Sequence, residues 1–229
     1  RLVPENGLIA ANGDDPTVMR VLQNAYSPVT VYGKQPQSDL FLKDISLEKD
    51  GTRFTVIQNN SEKSFFITLH GEHNVYNALG VLALARHNNI DDDVLSEAFA
   101  TFQSVKRRME LRGEISNIFV YDDFAHHPTA IQMSSNSLKD KYPSKKILGI
   151  VELGSNTMSS GYHKDNLIES LKILDKTLLL DINNAYDYLN GFDSEEKMLD
   201  CIRTEILEYD IILIMTNKDS QKFIKPILD

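Results

Sequence analysis

The sequence predicts an α/β chain in two parts. An open, mostly parallel sheet forms the second part, and the first is an α/β region containing antiparallel strands. Three observations predict this. From Ile118 onward, apolar runs bounded by charge alternate with segments of helical period, as expected of strands covered by helices on both faces. Earlier, Asp50-Gly51 separates two strand-like runs, a tight-turn signal for an antiparallel pair. Between these regions residues 103–108 are polar and basic. We place the boundary there, giving parts 1–104 and 105–229.

In chain order, residues 7–12 (GLIAAN) read as a short buried strand. Asp15-Pro16 then starts a helix, with an acid at the cap and proline at the first helical position; the helix is expected to reach about Tyr26. Residues 29–32, 39–47, 52–58 and 64–69 read as strands, the first closed by Gly33. In residues 71–88 the period changes: Val75, Ala78, Leu79, Leu82 and Ala85 repeat at helical spacing and face a core. A second helix opens on the acids of residues 91–93 and lines one face with Val94, Leu95, Ala98, Phe99 and Phe102. Beyond the boundary, strands are expected at 118–122, 147–151, 177–181 and 211–215, with helices at 129–141, 164–174 and 194–208. Ligands of such open sheets sit beyond the carboxyl ends of the strands.

Composition narrows the functional classes. The 229 residues are 41% apolar and 25% charged, ordinary for a globular protein. The net charge of −9 argues against a general nucleic-acid surface, so no nucleic-acid partner is expected. No apolar run is long enough to span a bilayer, so no membrane partner is expected either. The single Cys201 cannot form an internal disulfide, which fits a cytoplasmic location. No G-x-x-x-x-G-K-[ST] occurs, so these residues contain no Walker-type phosphate cradle. C-x-x-C, H-E-x-x-H, G-x-S-x-G and G-x-G-x-x-G are also absent, and no metal ligands are assigned.

Three segments carry unusual chemistry. In Gly71-Glu72-His73-Asn74-Val75-Tyr76-Asn77-Ala78, Asn74 and Asn77 are neighbours on one helix face. Asparagine is a poor helix former, so the pair is read either as N-terminal capping or as recognition of a planar base, whose edge a carboxamide matches. Val105-Lys106-Arg107-Arg108-Met109-Glu110 is read as a solvated basic linker or as a phosphate contact. Tyr121-Asp122-Asp123-Phe124-Ala125-His126-His127-Pro128-Thr129 follows a strand and opens a helix. Two adjacent acids and two adjacent histidines at one strand end are hard to explain by packing, and this is where an open sheet places ligand groups.

Together these segments resemble the Mur ligase family, the ATP-dependent enzymes that build the cell-wall peptide. GEHNVYNAL is similar to the family's G-x-H-N-x-x-N-A signature, VKRRME to its V-K-R-R-[FM]-E segment and DDFAHHPT to its D-D-[FY]-x-H-H-P-T signature. The resemblance covers nearly the whole chain. It implies a central ATPase domain followed by a Rossmann-like C-terminal domain that binds nucleotide and peptide substrate. It also places Arg1 inside the central domain, so that the N-terminal part of the same enzyme, the phosphate loop and the Mg²⁺ ligands are expected upstream and the chain alone is expected to be inactive. Within the family, DDFAHHPTAI and SNTMSSGYHKD look more like the member that joins L-alanyl-γ-D-glutamyl-meso-diaminopimelate to UDP-N-acetylmuramate than the member that adds free L-alanine. The chain departs from the family at three places: Ser104 stands where glycine is usual, Leu153-Gly154 replace Pro-Arg in the run E-P-R-S-x-T-M, and MTNKDSQKF replaces a glycine-rich S-N-G-x-F run.

The resemblance implies a bacterial cytoplasmic enzyme using ATP and Mg²⁺ to activate the UDP-N-acetylmuramate carboxylate as an acyl phosphate, which the tripeptide amine attacks. Asn77, with Asn74 beside it, would read adenine. Arg108 would meet the terminal phosphate, with Arg107 or Lys106 assisting. Asp123 would accept from the ribose hydroxyls, and His126 and His127 would line the nucleotide or the peptide. Ser155, Asn156 and Thr157 would contact the peptide. The alternatives are the L-alanine-adding ligase and a non-catalytic peptide- or nucleotide-binding module.

Overall fold

The computed structural model describes residues 3–229; Arg1 and Leu2 lie outside the described residues. The chain forms two compact units, divided between Gln103 and Ser104.

The first unit is a five-stranded sheet with two helices on its apolar face. Strands β1 (Ile9–Asn12), β2 (Val29–Gly33) and β3 (Leu40–Glu48) run parallel, and β4 (Gly51–Gln58) and β5 (Ser61–Ile67) continue the sheet antiparallel. Inward positions alternate along the antiparallel strands, as the pleat requires: Leu40 and Leu42, Phe54 and Val56, Phe65 and Ile67 are all buried. Helix α2 (Glu72–His87) covers them with Val75, Ala78, Leu79, Leu82 and Ala85, the expected stripe. Helix α3 (Asp92–Thr101) buries only Leu95 and Phe99. Val94, Ala98 and Phe102, expected on the same face, are exposed. The helix meets the end of the sheet at β5 and so seats a narrower stripe, with Phe99 against Phe54 and Phe65. Arg86 joins the two helices through a two-pronged contact with Asp92 (2.9 and 2.7 Å).

Helix α1 (Pro16–Leu22) is capped as expected: the Asp15 carboxylate accepts from the N–H groups of Thr17 and Val18. It stops short of Tyr26 because it buries no residue, leaving no packing to hold another turn. The turn between β3 and β4 also differs by one residue. Glu48 pairs with Gly51, so Lys49-Asp50 make the turn and Gly51 belongs to the strand. Its glycine is required by packing instead: a Cβ there would lie 2.1 Å from the Ile67 carbonyl oxygen.

The second unit is a five-stranded sheet in the order β6-β7-β10-β8-β9. Strands β7 (Ile118–Asp123), β8 (Ile147–Glu152), β9 (Lys176–Leu180) and β10 (Ile211–Met215) are parallel. Their near-continuous apolar runs are buried on both faces. One face packs on α4 (Pro128–Lys141) and α6 (Lys164–Leu171), with Ile131, Leu138 and Leu167 fully buried. The other packs on α7 (Glu195–Glu205) and α8 (Gln221–Leu228) through Met198, Ile202, Phe223 and Ile224. Among the elements not expected from the sequence are one strand and one helix. Strand β6 (Glu110–Ile115) pairs antiparallel with β7 across Ser116-Asn117, both at positive φ. Helix α8 was hidden by its short length and by Pro226 inside it. Among the described residues no helix is long and apolar enough to cross a membrane.

Because a methyl at position 51 meets backbone rather than a mobile side chain, Gly51→Ala is expected to cost about 1–3 kcal/mol, typical of overpacking. Urea unfolding monitored by circular dichroism checks this; an unchanged midpoint would show that β5 gives way easily.

Candidate functional site

In the first unit the candidate groups gather at the start of α2. Gly71 precedes the helix at φ 95° and provides no side-chain cap, so neither asparagine is the cap residue. Asn74 is half-buried and its Nδ2 donates to the His70 carbonyl (2.8 Å), tying the loop to the first turn. Asn77 is exposed, and its Nδ2 lies 3.5 Å from Asn74 Oδ1, at the limit of a hydrogen bond. The pair therefore divides: Asn74 supports the backbone, and Asn77 leaves its carboxamide exposed.

A support beneath this turn was not recognised in the sequence. Asp14, after β1, accepts through Oδ2 from the Lys34 N–H and from the Tyr76 hydroxyl, both at 2.7 Å. Burial, and then the bond to Asp14, push the Tyr76 phenol well above its usual range. Asp14 Oδ1 is buried without a hydrogen-bond partner. Asp14 stands beside Asp15, whose capping pattern is visible in sequence, whereas its own partners lie far along the chain.

In the second unit the register places Asp123, Met215 and Val151 level with one another, so the loops after β7, β10 and β8 share one sheet edge. Asp122 and Asp123, adjacent on β7, are both buried but held by different partners. Asp122 accepts from Ser220 (2.7 Å) and lies 3.4 Å from the guanidinium groups of Arg107 and Arg112. Asp123 accepts from the N–H groups of Met109 (2.8 Å) and Ala125 (2.7 Å). Burial raises its carboxyl above the usual range; bonds from Ala125, Met109 and Ser134 oppose that rise. At 2% exposure Asp123 holds the turn through both oxygens, and the ribose-acceptor role expected of it would fall on a carboxylate already so held.

Arg107 is likewise engaged within the fold. Besides Asp122, its guanidinium donates to the Thr216 carbonyl (2.6 Å), and its backbone N–H donates to Glu110. The guanidinium expected to assist at phosphate is thus engaged within the fold through Nε and Nη2. Lys106 and Arg108 are exposed, with the Arg108 guanidinium 5.7 Å from the centre of the Phe124 ring. Ser104 sits at φ 70°, a conformation glycine adopts at less cost. Its hydroxyl donates to the Arg108 carbonyl (3.2 Å).

His126 Nδ1 lies 2.8 Å from the Phe124 carbonyl. That partner only accepts, which assigns the proton to Nδ1 and leaves Nε2 open. His127 is exposed and caps α4, its Nδ1 accepting from the Thr129 N–H (3.4 Å). Its ring meets His163 edge-on at 4.6 Å. His163, the cap residue of α6, was quoted within a motif but given no role. Partial burial, then the neighbouring His163 and His126, lower the His127 pKa from 6.5.

Beyond β8, Ser155 caps the short helix α5 (Asn156–Ser159), its Oγ accepting from the Met158 N–H. Asn156 and Thr157 are exposed. Glu152 is bound internally by Lys222 (2.7 Å) and Thr216. Among the described residues no group of three or more His, Cys, Asp or Glu is arranged to hold a metal ion. The structure thus brings together His126, His127, Arg108 and the loop of residues 155–157 in the second unit, while Asn74 and Asn77 belong to the first.

Residues 1–85 match the Mur ligase middle domain, and residues 107–217 match the Mur ligase, glutamate ligase domain. The chain belongs to the Mur ligase family. It is 35% identical over 185 residues to the UDP-N-acetylmuramate–L-alanine ligase of Hydrogenobaculum sp., covering 80% of this chain and 40% of that protein. It is 31% identical to the UDP-N-acetylmuramate–L-alanyl-gamma-D-glutamyl-meso-2,6-diaminoheptandioate ligase of Haemophilus influenzae, covering 100% of this chain and 53% of that protein. The crystal structure of a murein peptide ligase from Psychrobacter arcticus superposes with a TM-score of 0.73 at 30% identity, covering 99% of this chain and 52% of that one. The chain thus spans about half the length of the curated relatives it matches.

The His127–His163 contact makes a pH prediction. Between pH 6.5 and the lower folded midpoint of His127, the unfolded chain holds more protons than the folded one, so this residue makes stability rise with pH across that window. In a nuclear magnetic resonance titration His127 is expected to titrate below 6.5, and His163→Gln to move its midpoint upward. No movement would exclude His163 as a cause.

Proposed function

We propose that this chain supplies the middle and C-terminal domains of an ATP-dependent ligase joining L-Ala-γ-D-Glu-meso-diaminopimelate to UDP-N-acetylmuramate. The observation that carries the reading is the turn from β7 into α4. It sets His126 and His127 at the end of a parallel sheet, with the Arg108 guanidinium beside the Phe124 ring of the same turn and the exposed Asn156 and Thr157 on a loop at the same edge. Full-length coverage of this chain by the Haemophilus influenzae tripeptide ligase supports the choice of acceptor.

In this reading a carboxylate oxygen of UDP-N-acetylmuramate attacks the γ-phosphorus of ATP and ADP leaves. The tripeptide amine then attacks the acyl carbon and phosphate leaves. The activation is needed because an amine does not displace oxide from a carboxylate. Catalysis is then largely positioning and charge neutralisation. Asn77 offers the base a donor and an acceptor side by side. Arg108, exposed and with its guanidinium beside the Phe124 ring, is the guanidinium for developing phosphate charge. His126, with Nδ1 on the Phe124 carbonyl, offers Nε2 to a substrate, and the exposed His127 lines the same turn. Asp123 contributes by holding the turn, and Ser155 by holding the loop that carries Asn156 and Thr157. Mg²⁺ would neutralise phosphate charge; no group among the described residues is assigned to it.

A second reading, the L-alanine ligase, is favoured by the 35% identity to the Hydrogenobaculum protein. The full-length gene product assayed with each acceptor separates them: the tripeptide is expected to give the higher kcat/KM. Preference for free L-alanine would establish the second reading, and turnover with neither would remove the ligase assignment. Asn77→Ala in the same protein is expected to raise KM for ATP about tenfold, the equivalent of ~1.4 kcal/mol, with the acceptor KM little changed. An unaltered ATP KM would take the base-reading role away from Asn77.

A further inference from the structure

Thr216 follows the last residue of β10, the strand that lies between β7 and β8. It is fully buried, and each of its polar groups is engaged. Its N–H donates to the Asp123 carbonyl (3.2 Å) at the end of β7. Its hydroxyl donates to Glu152 at the end of β8 and accepts from the Lys218 N–H (2.9 Å). An ionised carboxylate only accepts and a backbone N–H only donates, so both directions are fixed. Its carbonyl accepts from the Arg107 guanidinium (2.6 Å). Glu152, itself buried, is bound in turn by Lys222 (2.7 Å), which also pairs with Glu195. Four segments thus meet at one threonine.

We propose that Thr216 is a positioning residue for phosphoryl transfer, acting through Arg107 on Arg108. The inference rests on the ligase reading and adds to it the anchor that fixes its guanidinium. Arg107 stands at φ 57°, a region that residues with a Cβ adopt at a cost. Such a backbone persists only where its surroundings hold it. Its N–H donates to Glu110, and its carbonyl accepts from the Phe124 N–H (2.8 Å). Its guanidinium faces Asp122 and donates to Thr216, the bond that ties it to the middle strand of the sheet. Arg108 is the next residue. The two guanidinium groups lie by one ring, Arg107 at 5.2 Å and Arg108 at 5.7 Å from the centre of Phe124. Two cations at one ring repel, and the arrangement stands because Arg107 is paired with Asp122 and tied to Thr216. Loss of that tie lets the Arg107 backbone relax, and Arg108, one residue on, loses its place. A misplacement of about 1 Å at a reacting centre can cost on the order of 100-fold in rate.

The test is a kinetic cycle in the full-length protein. Thr216→Val keeps the side-chain shape and removes the hydroxyl, so that the Lys218 N–H and a Glu152 oxygen lose their partner and the Thr216 carbonyl is no longer fixed. It is expected to lower kcat at least ~10-fold, with the KM of ATP and of the acceptor each within about twofold. Thr216→Ser, which keeps the hydroxyl, is expected to recover most of that loss. In the Arg108→Ala protein, Thr216→Val is expected to cost less than about twofold further, because the group it positions is gone. Independent weakening of the fold would instead multiply the two losses. Circular dichroism checks that each variant folds. If Thr216→Val does not, Arg107→Met breaks the same bond from its other end and takes its place in the cycle, with the same expected losses. An unchanged kcat, losses that multiply, or a loss confined to KM overturns the inference and leaves the ligase reading standing. If the native protein ligates neither the tripeptide nor L-alanine, both fall.

Discussion

A carboxylate with no access to water must be held by its neighbours, and Asp122 at the end of β7 is such a group. Its fully buried side chain draws in Arg107, Arg112 and Ser220, from three different segments. Leaving it unpaired inside the unit would cost far more than any local backbone distortion. The segment before β6 accordingly accepts positive φ at Ser104, Arg107 and Met109. That path turns Arg107 inward and leaves Lys106 and Arg108 exposed. Next along the strand, Asp123 spends its oxygens on the N–H groups of Met109 and Ala125, which sets the turn carrying both histidines. The edge of the second unit that carries the candidate residues is therefore built on two acids that themselves stay covered.

The first unit uses the same device on a smaller scale. One oxygen of Asp14 gathers the Lys34 N–H and the Tyr76 hydroxyl, and so seats the first turn of α2 against the ends of β1 and β2. Asn74 then ties the helix to the preceding loop, and Asn77, one residue after the anchored tyrosine, is left to the solvent. In both units the residue that is exposed and chemically open depends on a neighbour that is engaged. A motif pair such as Asn74 and Asn77, or Arg107 and Arg108, thus separates into one supporting and one presenting member.

Parallel neighbouring strands bring their following loops side by side at the same level, and beyond β8 and β10 the Lys218 stem lies against Gly154.

Much of this protein was legible in its sequence because periodicity and turn chemistry act locally. The strand–helix alternation of the second unit, the buried stripe of α2 and the Asp15 cap follow from residue spacing alone, and three motifs in order identified the family. Helix α8 and strand β6 were not legible. One is short and carries Pro226, and the other becomes a strand only by pairing across Ser116-Asn117. The division of labour among the site residues was decided by tertiary structure. Whether an arginine meets phosphate or an internal carboxylate depends on what lies opposite it, and Arg107 finds Asp122 fifteen residues away. Likewise, only the packing of two loops shows that the Lys218 stem lies against Gly154.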